Sequence, residues 1–152
     1  MSANFHGTDA DRERASAWIL ERRAGLLSTL TETGEPFGSV VPFSVDRGAR
    51  IRLFISPLAQ HTRNLQANAA AALTLWEEGV SPASGACRIC IQVRASVAAP
   101  SPEEEVRFFG RNPDTGPWRQ LGFVFYTLQA SRAHVILGFG RAGWCDAAEL
   151  FN

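Results

Sequence analysis

The chain has 152 residues, the length of one ordinary domain and enough to bury a hydrophobic core. Hydrophobic residues make up 45% and charged residues 20%, a composition that excludes a disordered chain and favours a soluble globular protein. Fifteen Lys and Arg residues balance fifteen Asp and Glu residues, so no overall positive charge favours nucleic acid or an anionic membrane as a partner. A local site for a small anionic ligand remains compatible with this balance.

Targeting segments and disulfides are not expected. Residues 1–14 contain no apolar stretch that could serve as a signal peptide, and no later apolar run approaches the roughly 20 residues that span a bilayer. We therefore expect a cytoplasmic protein. The chain has three cysteines, Cys87, Cys90 and Cys145. A disulfide scaffold needs more cysteines, in an even number. Cys87 and Cys90 have C-x-x-C spacing, but side chains three apart on a strand point to opposite faces, so no metal or redox centre is expected there.

The first predicted element is an amphipathic helix over residues 10–23, capped by Asp9 or Asp11 and ended by Gly25. Apolar residues recur on one side at helical spacing, so this helix should lie against the core of the domain. The residues on that side are Ala15, Trp18 and Ile19.

Most of the remaining chain is predicted to form strands separated by short turns. The predicted strands are residues 26–31, 36–45, 51–55, 70–77, 88–97, 123–128 and 134–139, the last two joined by a tight connection at 130–132. The second strand contains Pro42, which cannot donate a hydrogen bond to a sheet. Pro42 therefore belongs at an edge, at a bulge or where backbone faces a ligand.

Two further helices are predicted between these strands. One begins with Ser56 as its N-cap and Pro57 in its first turn and runs to about residue 67. The other begins with a capping box at Ser101 and runs to about residue 110. A last helical turn is predicted over residues 145–150.

Hairpin connections dominate this order of six or seven strands and three helices. The pattern predicts a mainly β fold, an antiparallel six- to seven-stranded barrel with peripheral helices. We expect one domain over residues 1–152, with the N-terminal helix in residues 1–24 and the barrel in residues 25–145.

The start of the second predicted helix carries residues that could hold a phosphate. Backbone N–H groups at a helix start attract anions. Thr62 and Arg63 add a hydroxyl and a guanidinium beside His61. The alternative is a solvated helix whose Arg63 faces water, and the spacing of the residues does not separate the two.

Other chemistry has weaker signals. His6 is predicted at the surface, and His134 begins a predicted strand, where it either hydrogen-bonds within the barrel or binds a ligand. No Ser-His-Asp order, G-x-S-x-G elbow or phosphate-binding P-loop is present, so neither a hydrolase nor a nucleotide triphosphatase is indicated.

Three segments together resemble a known family. They are residues 56–65 (S-P-L-A-Q-H-T-R-N-L), 106–114 (V-R-F-F-G-R-N-P-D) and 134–144 (H-V-I-L-G-F-G-R-A-G-W). In this order the chain resembles the FMN-binding split-barrel superfamily related to pyridoxamine 5'-phosphate oxidase, in particular the branch of HugZ- and HutZ-type haem-utilisation proteins. The resemblance implies that the predicted barrel is a split barrel.

The resemblance also implies a position for FMN. Backbone of one strand would lie along the flavin ring, the start of the second helix would hold the phosphate, and other residues would come from either subunit of a homodimer. The corresponding residues are Ser39, Val40, Val41, Pro42 and Phe43 for the ring, Ser56, His61, Thr62 and Arg63 for the phosphate, and Gln92, Arg141 and Trp144 for the remaining contacts.

From this resemblance we expect an FMN-binding protein, most directly a flavin-dependent oxidoreductase of unknown substrate. The basic R-x-V-L-L-K strand and the arginine–histidine–arginine cluster of the pyridoxamine 5'-phosphate oxidases are absent, so vitamin B6 oxidation is not expected. The alternatives are a haem-binding or haem-degrading protein with His134 or His61 as axial ligand, a non-catalytic flavin-binding module, and a barrel without flavin. No catalytic residue is predicted for any of them.

Overall fold

The computed structural model of the protein describes residue 5 and residues 7–138 and 140–151. His6 and the last residue of the predicted strand 134–139 lie outside these residues. In chain order the elements are α1 (Asp9–Glu21), β1 (Ala24–Leu30), β2 (Pro36–Pro42), β3 (Ser44–Asp46), β4 (Arg50–Ile55), α2 (Gln60–Ala67), β5 (Ala70–Trp76), β6 (Arg88–Val97), α3 (Pro102–Arg111), β7 (Val124–Ile136) and β8 (Ala142–Asp146), with short 3₁₀ helices at Pro82–Ser84, Pro113–Gln120 and Ala147–Glu149.

The strands form one antiparallel sheet in the order β2-β1-β5-β6-β7-β4-β3, and β8 pairs with β7. Strands β2 and β4 also contact each other, so the sheet curls around a core. Core side chains alternate along the strands as expected for a sheet with one buried face. They include Leu27, Leu53, Leu73, Leu75, Ile89, Ile91, Ala133 and Val135. The predicted mainly β, antiparallel fold with peripheral helices is confirmed.

The strand count differs from the prediction for identifiable reasons. Phe43 separates β2 from β3, because its backbone N–H donates to the carbonyl oxygen of Arg23 instead of continuing one strand. The predicted helical turn over residues 145–150 is only partly right, because Ala142–Asp146 pairs with β7 and the turn begins at Ala147.

The predicted turn at residues 130–132 is wrong, since β7 is one continuous strand of 13 residues. Gln92 of β6 lies opposite Arg132 and Val93 lies opposite Ala130, which leaves Ser131 as an extra residue. This is a β-bulge, which bends a strand without ending it. The hydroxyl of Ser131 donates to the backbone oxygen of Gln92 at 3.2 Å.

Helix α1 begins and ends differently from its prediction. Its N-cap is Thr8, while Asp11 is the third residue of a reciprocal capping box. Gly25 does not end the helix, because it lies in β1, where a Cβ atom would come within 2.7 Å of a Leu75 side-chain carbon. Ala15 and Ile19 are buried, as the helical spacing predicted.

A buried ionic network joins α3 to the sheet. Arg52 on β4 is 3% exposed and donates to Asp46 at 2.7 Å, to Glu104 at 2.7 Å and to the hydroxyl of Thr127 at 2.7 Å. The Ser101 backbone N–H and the Arg52 charge hold the pKa of Glu104 below its usual range. Every partner is hydrogen-bonded, which a buried charge requires.

The three cysteines are free, and Cys87 and Cys145 are buried. Burial raises the pKa of each of these two thiols to about 11, so both stay protonated and unreactive near neutral pH. None of the helices among the described residues has the length and apolar character needed to cross a membrane.

Removing Arg52 tests the contribution of the buried network. Arg52→Met leaves the buried carboxylate of Asp46 paired only with the partly exposed Arg107, and we expect the free energy of unfolding to fall by about 3 kcal/mol. Chemical denaturation measures the change, with Arg23→Met, at an exposed position, as the matched control. A loss below about 1 kcal/mol would show that the network adds little to stability.

Candidate functional site

The start of α2 is built by a turn rather than by an N-cap serine. Ser56 follows β4, and its side-chain oxygen accepts the backbone N–H of Leu58 at 3.2 Å. The helix begins only at Gln60, with Ala59 as an N-cap that has no side-chain hydrogen bond. The prediction that Ser56 caps this helix is therefore wrong, because Ser56 stabilises the preceding turn.

Two hydrogen bonds hold α2 against the sheet. The hydroxyl of Thr62 is fully buried and donates to the backbone oxygen of Ser56 at 2.6 Å. The side-chain amide of Asn64, 1% exposed, donates to the hydroxyl of Thr29 on β1 at 2.9 Å. The sequence predicted a phosphate contact for Thr62 and no role for Asn64, because the contact of Asn64 with Thr29 joins residues that are far apart in the chain.

His61 and Ser39 form the polar centre of this region. The side-chain oxygen of Ser39 on β2 lies 3.0 Å from Nδ1 of His61 on α2. Nε2 of His61 is buried and has no hydrogen-bond partner within the described part of the chain. Burial lowers the pKa of His61, so its ring is neutral near pH 7. A buried polar nitrogen without a partner is costly and therefore marks a contact that something else completes.

The neutral ring can serve two kinds of ligand, depending on the tautomer. If Ser39 donates to Nδ1, the proton sits on Nε2, which then donates to an anion such as a phosphate oxygen. If Nδ1 donates to Ser39, Nε2 presents a lone pair, which is what an iron ion requires. The tautomer of His61 therefore decides whether Nε2 can donate to an anion or coordinate a metal ion.

The other residues assigned to this end of the sheet differ in accessibility. Val41 and Phe43 are core residues, 1% and 0% exposed, whereas Val40 is 64% exposed. Pro42 ends β2, which lies at one end of the sheet order, so the prediction of an edge position is confirmed. Arg63 is exposed on α2 beside His61.

Three further predicted site residues lie on β6, β7 and β8. Gln92 lies opposite Arg132, and His134 lies opposite Trp144. The rings of His134 and Trp144 are 5.2 Å apart, and the guanidinium carbon of Arg132 lies 4.9 Å from the centre of the Trp144 ring. Strands β1 and β5 separate Gln92 on β6 from Ser39 on β2, and β6 and β7 add to this separation for Trp144 on β8, so these residues do not meet Ser39 along the sheet.

Arg141 has a separate contact. Its guanidinium pairs with the carboxylate of Asp11 at 3.0 Å and joins the start of β8 to α1. This contact lowers the pKa of Asp11, after the larger effect of the hydrogen bond from the Thr8 backbone.

The face of the sheet that points away from the core, which we call the outer face, has a distinct composition. One row crosses six strands in register and contains Val40, Leu26, Thr74, Cys90, His134 and Trp144, none of which is buried. Strands β1, β2, β4, β5, β6 and β7 contain no Asp or Glu. The outer face between β2 and β7 therefore has basic but no acidic side chains, although the chain as a whole is neutral.

Residues 12–121, most of the chain, match the family model described as pyridoxamine 5'-phosphate oxidase. The chain belongs to this family. A comparison with curated proteins found no match. Among the described residues, no group of three or more His, Cys, Asp or Glu side chains is arranged to hold a metal ion.

Solved structures with the same fold include flavin- and haem-binding proteins. One structure is 26% identical over 96% of this chain and 98% of its own, with a TM-score of 0.86. A haem-binding protein from Mycobacterium smegmatis is 19% identical over 95% of this chain, with a TM-score of 0.82, and this chain spans 60% of its length. HutZ, the haem storage protein from Vibrio cholerae, is 19% identical over 85% of this chain and 92% of its own, with a TM-score of 0.60.

An FAD-binding protein from Mesorhizobium loti is 13% identical over 86% of this chain and 90% of its own, with a TM-score of 0.64. At identities below 25% these likenesses show the fold alone. Together with the family match they confirm the split barrel and the resemblance to the haem-utilisation branch.

The environment of His61 predicts a pH dependence of stability. Because burial lowers the pKa of His61 below its usual value of 6.5, the unfolded chain binds this proton more readily than the folded protein. The stability that depends on neutral His61 is therefore fully present above pH 6.5. The free energy of unfolding decreases as the pH falls from there toward the folded-state pKa of His61.

We expect His61→Gln to flatten the decline in unfolding free energy between about pH 7 and about pH 5. Denaturant titrations of wild type and variant across this interval measure it, and His134→Gln is the matched control. Parallel pH profiles for wild type and His61→Gln would contradict the assignment.

Proposed function

We propose that the protein binds FMN, with its phosphate near the start of α2. The observation that carries this proposal is the buried, unpartnered Nε2 of His61, held by Ser39 beside a helix start. Family membership and flavin-binding proteins of the same fold support it.

The residues of this region fit a phosphate monoester. With Ser39 donating to Nδ1, the proton of His61 lies on Nε2, which would donate to a phosphate oxygen placed against it. Arg63 is exposed one residue further along α2 and supplies a charge that neutralises phosphate. Backbone N–H groups at the start of α2 add donors in the region where the helix dipole favours anions. Thr62 acts indirectly, because its hydroxyl fixes the turn at Ser56.

The ring of FMN would lie along β2 at Ser39 and Val40. Bound FMN supplies the electron transfer, while the protein supplies binding, orientation and electrostatics. We propose an oxidoreductase without naming its substrate. Among the described residues of the site, His61 and Ser39 are the only pair that could transfer a proton, and they do not specify a substrate class. A non-catalytic flavin-binding module would have the same site and would bind FMN without oxidising NAD(P)H above background.

A homodimer would complete the site. Strands β1 and β5 separate Gln92 on β6 from Ser39 on β2. A second copy packed on the outer face would bring its own β6, with Gln92, close to β2. The outer face suits this packing because its central row contains small, neutral and apolar side chains around Cys90.

FMN titration tests the proposed phosphate site. We expect the protein to retain FMN, and Arg63→Glu to weaken binding by about 10- to 100-fold, because a carboxylate then faces the phosphate. Quenching of flavin fluorescence measures affinity, and Arg47→Glu, at an exposed turn position, is the matched control. If Arg63→Glu binds FMN as tightly as wild type does, Arg63 does not contact the phosphate. If the wild-type protein does not retain FMN, the proposal is wrong.

Haem binding is the second candidate function, and one observation favours it. His134 lies on the outer face beside Arg132 and opposite Cys90, in a region without carboxylates on β5, β6 or β7. An imidazole with neighbouring guanidinium groups suits an iron porphyrin, whose propionates are anionic.

Haemin titration separates the two candidate histidines. If haem binds at the outer face, His134→Ala should abolish the shift of the Soret band and His61→Ala should leave it intact. The reverse pattern would place the iron at His61. An unchanged shift in both variants would exclude either residue as axial ligand.

A further inference from the structure

A cleft of about 490 Å³ lies between β8, the last 3₁₀ helix and the N-terminal part of α1. Its volume lies within the range of small-molecule sites. Its walls contain Trp144 and Phe5 as aromatic surfaces and Arg12, Arg132, Asp146 and Glu149 as charged groups. The cleft is thus both aromatic and charged, and it lies at the end of the sheet away from Ser39 and His61.

Two of the four charged groups neutralise each other. Arg12 pairs with Glu149 at 2.8 Å and with Asp9 at 3.0 Å. Glu149 also accepts the backbone N–H of Asp146 at 3.3 Å. Arg12 and Glu149 are therefore held by each other and are not free to recognise a ligand.

The other two charged groups remain available. Within the described part of the chain, Arg132 and Asp146 form no ion pair. They lie directly opposite each other on β7 and β8. The backbone N–H of Asp146 donates to the carboxylate of Glu149 at 3.3 Å, which fixes the backbone from which the Asp146 side chain projects. Arg132 lies over the Trp144 ring at 4.9 Å, so its guanidinium is positioned beside an aromatic surface.

We propose that this cleft binds a small aromatic zwitterion, with the chemistry of an aromatic α-amino acid. The carboxylate of the ligand pairs with Arg132, its ammonium pairs with Asp146, and its ring packs against Trp144. Because the charges that line the cleft cancel, a ligand with two opposite charges fits better than a simple anion, which Asp146 would repel. The site is separate from the proposed FMN site and does not depend on it.

Calorimetric titration with L-phenylalanine tests the assignment. We expect saturable binding with a dissociation constant on the order of 1 mM or tighter. Two comparison probes each lack one charge: 3-phenylpropionate has no ammonium and 2-phenylethylamine has no carboxylate. Each should bind about tenfold more weakly than phenylalanine, because one ion pair is then missing.

Conservative variants assign each charge to its partner. Arg132→Gln should weaken phenylalanine and 3-phenylpropionate about tenfold and leave 2-phenylethylamine unchanged. Asp146→Asn removes the charge with little change in side-chain shape, and it should weaken phenylalanine and 2-phenylethylamine but not 3-phenylpropionate. Arg14→Gln, on the exposed surface of α1 outside the cleft, is the matched control and should bind as wild type does.

Several outcomes would overturn the proposal. One is the absence of saturable binding up to about 10 mM phenylalanine. Another is that 3-phenylpropionate binds as tightly as phenylalanine. A third is that Arg132→Gln and Asp146→Asn both bind phenylalanine as tightly as wild type does. Titrations with and without FMN separate this proposal from the proposed function. We expect the same affinity for phenylalanine in both, and competition between the two ligands would show that the cleft is not a separate site.

Discussion

The arrangement of the molecule depends on the continuity of β7. This strand pairs with β6 along its length, with β4 through its first half and with β8 through its second half. One edge of β7 pairs with β6, and the bulge at Ser131, which bends the strand, lies where the neighbour on the other edge changes from β4 to β8. A turn at this point would have separated β8, and with it Trp144, from the rest of the sheet.

Polar contacts at buried positions define the start of α2. This helix has eight residues and no side-chain cap, so its own hydrogen bonds give it little stability. The bonds from Thr62 to Ser56 and from Asn64 to Thr29 attach it to the sheet and thereby fix the ring of His61 against Ser39. Thr62 and Asn64 thus position His61.

The distribution of charge matters more than its total. Equal numbers of acidic and basic residues give no net charge, yet the acidic residues are nearly absent from the strands. They concentrate in helices and turns, where they cap helices and pair with arginines such as Arg52 and Arg141. The outer face between β2 and β7 therefore has basic but no acidic side chains, which suits anionic cofactors such as flavins and haem.

Local patterns in the sequence determined the elements and the fold class. Alternation of apolar residues defined most strands, the capping box at Ser101 defined α3, and the order of three motifs indicated the split barrel. The apolar alternation and the capping box involve residues close together in the chain, so both are visible in the sequence itself. Only the tertiary structure decided that Ser131 forms a bulge, that Thr62 is buried and that Arg132 and Asp146 form no ion pair within the described part of the chain. Each of these depends on which strand lies opposite, and that is set by long-range pairing in the sheet rather than by local sequence.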